Sequence, residues 1–106
     1  MNYKVLLKYK LIKKVDGLYT LTTHGMNFAV FCLLSKTYAE EFPECINQQP
    51  DESHTQYIFD VLVRKGLLYE DRINFTDSGG KKLWEILEEL TEDDFVDLIM
   101  DVNNDN

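Results

Sequence analysis

Val61-Leu62-Val63-Arg64-Lys65-Gly66-Leu67-Leu68, followed by Ile73-Asn74-Phe75-Thr76-Asp77-Ser78-Gly79, is the stretch on which the fold turns. It reads as a helix end, a glycine stop, a strand, a turn, a second strand and a Thr-x-x-Gly start to another helix. An earlier stretch has the same order: Val5-Leu6-Leu7-Lys8-Tyr9-Lys10-Leu11-Ile12, then Tyr19-Thr20-Leu21-Thr22-Thr23-His24-Gly25. Both run into an apolar helix. The chain therefore holds an internal echo, and the two copies frame everything between them.

Outward from these copies the elements follow from periodicity and punctuation. Residues 3–15 fit either a short helix running into a strand or strand throughout, since Lys8-Tyr9-Lys10-Leu11 alternates with period 2. Asp16-Gly17 is a tight-turn dipeptide, so a hairpin is predicted at about residues 10–22. Thr22-Thr23 supplies an N-cap for a helix through Lys36. That helix is apolar nearly all round (Met26, Phe28, Ala29, Val30, Phe31, Cys32, Leu33, Leu34), which predicts a central, buried position with Phe31 in the core. Pro43 ends the segment that continues through Tyr38-Ala39-Glu40-Glu41.

Asp51 or Ser53 caps the next helix, with Ser53-x-x-Gln56 fitting a capping box. Tyr57, Ile58, Val61, Leu62 and Lys65 recur at helical spacing up to Gly66. Leu67-Leu68-Tyr69 and Ile73-Asn74-Phe75 flank Glu70-Asp71-Arg72 and predict a second hairpin. Thr76 caps a helix with Leu83, Trp84, Ile86, Leu87 and Leu90 on one face. Thr91-Glu92-Asp93-Asp94 starts a last short helix carrying Phe95, Val96, Leu98, Ile99 and Val102. The expectation is one α+β domain over residues 1–102, with four or five helices and two short β-hairpins, and a frayed acidic tail at 103–106.

At 106 residues the chain is one domain by length and buries about two-thirds of its surface on folding, enough for a core without disulfides or metals. No stretch reaches 18 apolar residues, which predicts no membrane span. The first residues do not lead into the apolar segment of a secretion signal, so a cytoplasmic, reducing location is expected. Cys32 and Cys45 then read as thiols rather than a staple. Asn74-Phe75-Thr76 matches a glycosylation acceptor by chance in that setting. Formal net charge is −8, and it is uneven: residues 1–36 balance at +5 and residues 37–106 at −13.

The Leu62-x-x-x-Gly66-Leu67-Leu68 block, with Phe75-Thr76-Asp77-Ser78-Gly79-x-x-x-Leu83 after it, resembles the wing of winged-helix proteins of the MarR and PadR kind. The first copy, Leu18 to Gly25, is similar to the second part of that pattern. The resemblance covers about residues 52–90 and implies a winged-helix-like fold. It also implies a dimeric DNA-binding regulator in which residues 53–65 lie in the major groove. DNA would then be met by His54, Gln56, Tyr57, Arg64 and Lys65, with Lys13 and Lys14 on the backbone. Two features depart from the family. A nine-residue loop separates this helix from the preceding one, and the wing Glu70-Asp71-Arg72 is short and acidic.

Phosphate contacts need cations, and the helix over 53–65 brings Glu52 and Asp60 with it. Its plain reading is an amphipathic core helix with a solvated face. The acidic end is the more unusual feature. Glu85, Glu88 and Glu89 lie toward a helix C-terminus, where the macrodipole disfavours anions. Asp93, Asp97 and Asp101 repeat at i, i+4, i+8, a spacing at which like charges repel. Such a stripe rises about 6 Å per charge, a coarse imitation of a phosphate row. A solvated acidic face is the simpler account of the same residues.

The leading expectation is a non-enzymatic acidic module that binds a protein partner, itself a nucleic-acid-binding protein with a cationic surface. In composition it resembles the small viral inhibitors that mimic DNA. The runner-up is the winged-helix regulator. No cofactor and no metal site is expected: Asp101-Val102-Asn103-Asn104-Asp105 opens like a calcium loop but lacks its glycine and final Glu. His24, Cys32, Cys45 and His54 lack zinc-ligand spacing. No phosphate loop or nucleophile–base pair stands out, so no enzymatic chemistry is expected.

Overall fold

Asp16 and Gly17 both adopt positive φ (51° and 83°), the backbone of a two-residue turn whose twist matches its flanking strands. In the computed structural model, which describes residues 3–45 and 51–90, this turn joins β1 (Ile12–Val15) to β2 (Leu18–Leu21). The strands are antiparallel, with Ile12 opposite Leu21 and Val15 opposite Leu18. Before them lies helix α1 (Tyr3–Lys8), so residues 3–15 run from helix into strand. After them come α2 (Thr23–Glu41), a 3-10 turn at Pro43–Cys45, α3 (Glu52–Arg64) and α4 (Asp77–Glu89). The described residues form an α+β domain of four α-helices and one two-stranded sheet. The expected last helix over 92–102 and the tail at 103–106 lie outside the described residues.

The internal echo is repeated atom by atom. In the first copy the Leu11 N–H donates to Leu6 O (2.9 Å), and the Thr22 N–H donates to Leu11 O (3.1 Å). In the second, Leu67 N–H donates to Leu62 O (3.0 Å), and Thr76 N–H to Leu67 O (3.1 Å). The Thr22 hydroxyl donates to Lys10 O and accepts from the Gly25 N–H, capping α2. The Thr76 hydroxyl donates to Gly66 O and accepts from the Gly79 N–H, capping α4. Lys10 and Gly66 occupy the same left-handed position, at φ 60° and 75°. There glycine is unstrained, whereas lysine bears a cost of about 1 kcal/mol or more.

Gly25 and Gly79 sit where the helix start meets the preceding carbonyl. A Cβ on Gly25 would lie 1.8 Å from Leu11 O, and one on Gly79 would lie 1.9 Å from Leu67 O. Only glycine permits that approach. From these two junctions the paired helices enter the core in matched phase. Ala29 and Leu33 follow Gly25 at intervals of four, and Leu83 and Leu87 follow Gly79 in the same way; all four are buried. Helix α2 packs against α4 and α3, and the cluster is completed by Val5, Leu6, Leu11, Ile12, Tyr38, Ile58, Leu62, Leu68 and Ile86.

Two expectations need correction. The second hairpin does not form as a sheet: between residues 68 and 75 the chain makes a single antiparallel bridge, Leu68 to Phe75. The cause is local. The Asp71 carboxylate accepts the N–H groups of Ile73 and Asn74 and the Asn74 side-chain amide, so these donors are satisfied without a ladder. Arg72 takes a left-handed φ of 61° and pairs with Asp60 of α3. Phe31 is not in the core; it is 58% exposed. It stands two residues from both Ala29 and Leu33, about 200° around the helix from the inward face. An all-apolar helix here buries one face only.

The glycine pair at the start of α4 separates two effects. Gly79→Ala is expected to destabilise the protein by about 3 kcal/mol through overpacking against Leu67 O. Gly80→Ala, with open space around it, is expected to stabilise it by about 0.5–1 kcal/mol through helix propensity. Urea melts of the two variants check the opposite signs. In the same assay Leu83→Ala, at a site with no exposure, should cost about 2–5 kcal/mol, and exposed Phe31→Ala well under that. Equal losses at the two positions would contradict this packing.

Candidate functional site

Helix α4 begins at the Thr76 cap, and Leu83, Ile86 and Leu87 turn its inner face into the core. The helical period then sends Glu85, Glu88 and Glu89 outward, and all three are exposed. None of them joins a salt bridge among the described residues. The last turn of α4 contains no basic residue to offset the negative end of its dipole. The other three residues of the expected stripe, Asp93, Asp97 and Asp101, lie outside the described residues.

The charge is concentrated further along the chain. Residues 91–106 contain Glu92, Asp93, Asp94, Asp97, Asp101 and Asp105 and no Lys or Arg, which accounts for −6 of the net −8. Residues 1–90, with eleven basic against thirteen acidic groups, carry only −2. The acidity is a property of one end of the chain.

The residues expected to meet DNA fall into two groups. His54 is drawn into an aromatic cluster, with ring centroids 4.4 Å from Phe42 and 5.8 Å from Tyr38. Its Nδ1 is buried without a hydrogen bond, 3.6 Å from Asp51 Oδ1. Tyr57 meets Phe42 edge-on at 5.4 Å and carries the Arg64 guanidinium over its outer face at 5.7 Å. Gln56, Lys65, Lys13 and Lys14 are exposed, with the Lys14 ammonium 5.6 Å from the Tyr19 ring centroid. The salt bridge between Arg72 and Asp60 joins the loop after α3 back to that helix.

Asp51, not Ser53, caps α3. Its Oδ1 accepts from the Ser53 hydroxyl (2.7 Å) and the His54 N–H (2.9 Å), which hold the carboxyl below its ordinary range. Asp71 is held low by the Asn74 and Ile73 N–H groups. Burial, with the Cys45 and Asp51 charges adding to it, pushes the Tyr38 phenol up. Its hydroxyl donates to Cys45 O. Cys32 and Cys45 are half-buried. Among the described residues no group of three or more His, Cys, Asp or Glu is placed to hold a metal ion. No described helix is long and apolar enough to cross a membrane.

Sequence reading did not bring Lys36, Lys65 and Lys82 together. They line one cleft between α2, α3 and α4. The three are far apart in the chain, and no local spacing signals their meeting. No family model, no curated protein and no solved structure matches this chain.

The two depressed carboxylates set a pH dependence. Each has a folded pKa below its unfolded one, so its contribution is complete above the ordinary Asp value of about 3.9 and is lost as pH falls through the folded value. Carbon-detected NMR titration should place both midpoints below that ordinary value. Asp51→Ala and Asp71→Ala should each flatten the acid limb of the stability curve. A midpoint at or above the ordinary value for either residue contradicts the hydrogen bonding described.

Proposed function

We propose that the protein is a non-enzymatic, winged-helix-like binding module that engages a cationic, nucleic-acid-binding surface of a partner protein. The contact face is Glu85, Glu88 and Glu89 of α4, continued along the chain by Asp93, Asp97 and Asp101. The observation that carries this reading is the set of three exposed glutamates without salt bridges among the described residues. They occupy the dipole-disfavoured end of a helix and lead into a segment with six acids and no base. Holding like charges at such a site costs a few tenths of a kcal/mol each, a cost that a cationic partner reverses on binding. Complementary charge would also steer the encounter.

The runner-up, a dimeric winged-helix regulator, draws on exposed Gln56, Lys65, Lys13 and Lys14 and on the helix–loop–Thr-x-x-Gly order after α3. It is the weaker reading. His54 is committed to the aromatic cluster, Asp60 stays on α3, and the cation of the loop, Arg72, is paired with it.

Capture of nucleic-acid-binding proteins from host extract should be competed by added duplex DNA and should weaken as salt rises. Glu85→Lys/Glu88→Lys/Glu89→Lys should lose that capture while keeping its melting temperature within a few degrees, because these side chains face outward. The wild type itself should not shift duplex DNA at about 150 mM salt. Sequence-selective DNA binding by the wild type, or capture indifferent to charge reversal, would transfer the assignment to the regulator.

A further inference from the structure

Lys36 of α2, Lys65 at the C-cap of α3 and Lys82 of α4 surround a cleft of about 340 Å³. Leu33, Leu62 and Leu67 line it between them. None of the three lysines has a salt bridge among the described residues. Glu40 is the acidic residue of the lining, so the cleft carries a formal +2 in a chain whose net charge is −8.

The internal repeat supplies a control for this arrangement. Val61 and Lys65, joined N–H to carbonyl, correspond to Val5 and Tyr9, joined in the same way. Counting from Gly79 and Gly25, Lys82 corresponds to Phe28; Lys36 corresponds to Leu90. The floor is unchanged between the halves, with Leu33, Leu62 and Leu67 matching Leu87, Leu6 and Leu11. The rim is not. Of the two equivalent sites, each built by both halves, one has three lysines around a cleft and the other has Tyr9, Phe28 and Leu90 packed against the core. The fold accepts apolar side chains at all three positions, so its geometry does not require the lysines.

We propose that this cleft binds a small organic anion with two negative charges, a phosphate monoester or a dicarboxylate. The lysines take the charged groups, and the carbon skeleton lies on the three leucines. The volume falls at the low end of the range for small-molecule sites, and an apolar floor with a few convergent charges is their usual construction. Ammonium groups meet phosphate or carboxylate oxygens through charge-assisted hydrogen bonds, the strong kind. This site uses different side chains from the acidic face of α4, although Lys82 lies one turn from Glu85, and substitutions at the lysines and at the glutamates test the two apart.

The test is a ¹H–¹⁵N NMR titration of the full chain with phenyl phosphate and with succinate, against sodium chloride at matched ionic strength. At least one probe should give saturable shifts centred on Lys36, Thr37, Lys65, Leu67 and Lys82. Saturation by phenyl phosphate alone assigns the site to phosphate esters, and by succinate alone to dicarboxylates. Lys36→Gln, Lys65→Gln and Lys82→Gln should each weaken binding about tenfold, the usual worth of a hydrogen bond to a charged group. A triple variant that copies the equivalent site, Lys36→Leu/Lys65→Tyr/Lys82→Phe, should fold and lose binding altogether.

Shifts that grow linearly and match the chloride control would overturn the assignment. So would shifts centred on Lys8 to Lys14, or affinity unchanged in the glutamine variants. Failure of the glutamine variants to fold would show that the lysines serve the fold, and would overturn it equally.

Discussion

The fold rests on a junction used twice, in which a threonine hydroxyl bonds backward to a carbonyl and forward to the N–H of a glycine. Thr22 ties Lys10 O to Gly25, and Thr76 ties Gly66 O to Gly79. Each hydroxyl satisfies one of the orphan donors of a helix start while fastening that start to the end of the preceding helix. The glycine then lets the helix pass within contact distance of the leucine carbonyl behind it, where a Cβ would overlap the oxygen. Once both junctions are made, the phases of α2 and α4 are set. Ala29 and Leu33 must face the same interior as Leu83 and Leu87.

The two halves share this frame and differ in what they place on it. The first carries a hairpin with lysines on β1. The second shortens the corresponding segment by two residues and folds it around Asp71; of the two equivalent sites that the halves build together, one is rimmed by Tyr9, Phe28 and Leu90 and the other by Lys36, Lys65 and Lys82. Duplicated structure with unequal decoration separates what the frame needs from what a ligand or partner could use. Leucines at the floor are common to both halves and belong to the frame; the lysines are not and do not.

Residues 1–90 are close to neutral, and the acidity gathers on the outer side of α4 and in the chain beyond it. Cations lie on α1 (Lys4, Lys8) and β1 (Lys13, Lys14) as well as around the cleft. The two signs meet on α4, where Lys82 of the cleft and Glu85 of the acidic face are one turn apart, within a Debye length of about 10 Å.

Much of this architecture is legible in the sequence because it rests on local chemistry. The Asp16-Gly17 turn, the Thr22 and Thr76 caps, the Gly66 stop and the echo itself depend on a few neighbouring residues. Their backbone demands can be met in one or two ways. The outward placement of Glu85, Glu88 and Glu89 likewise follows from helical period and the apolar residues between them. Three matters were decided only by tertiary structure. Phe31 is exposed because an apolar helix still has just one side toward its neighbours, and composition does not say which. The second hairpin reduced to one bridge because a carboxylate two residues away competed for the ladder's donors. Lys36, Lys65 and Lys82 became a group because three helices converge there. Residues 29 and 17 positions apart share a surface only when the core has chosen how those helices pack.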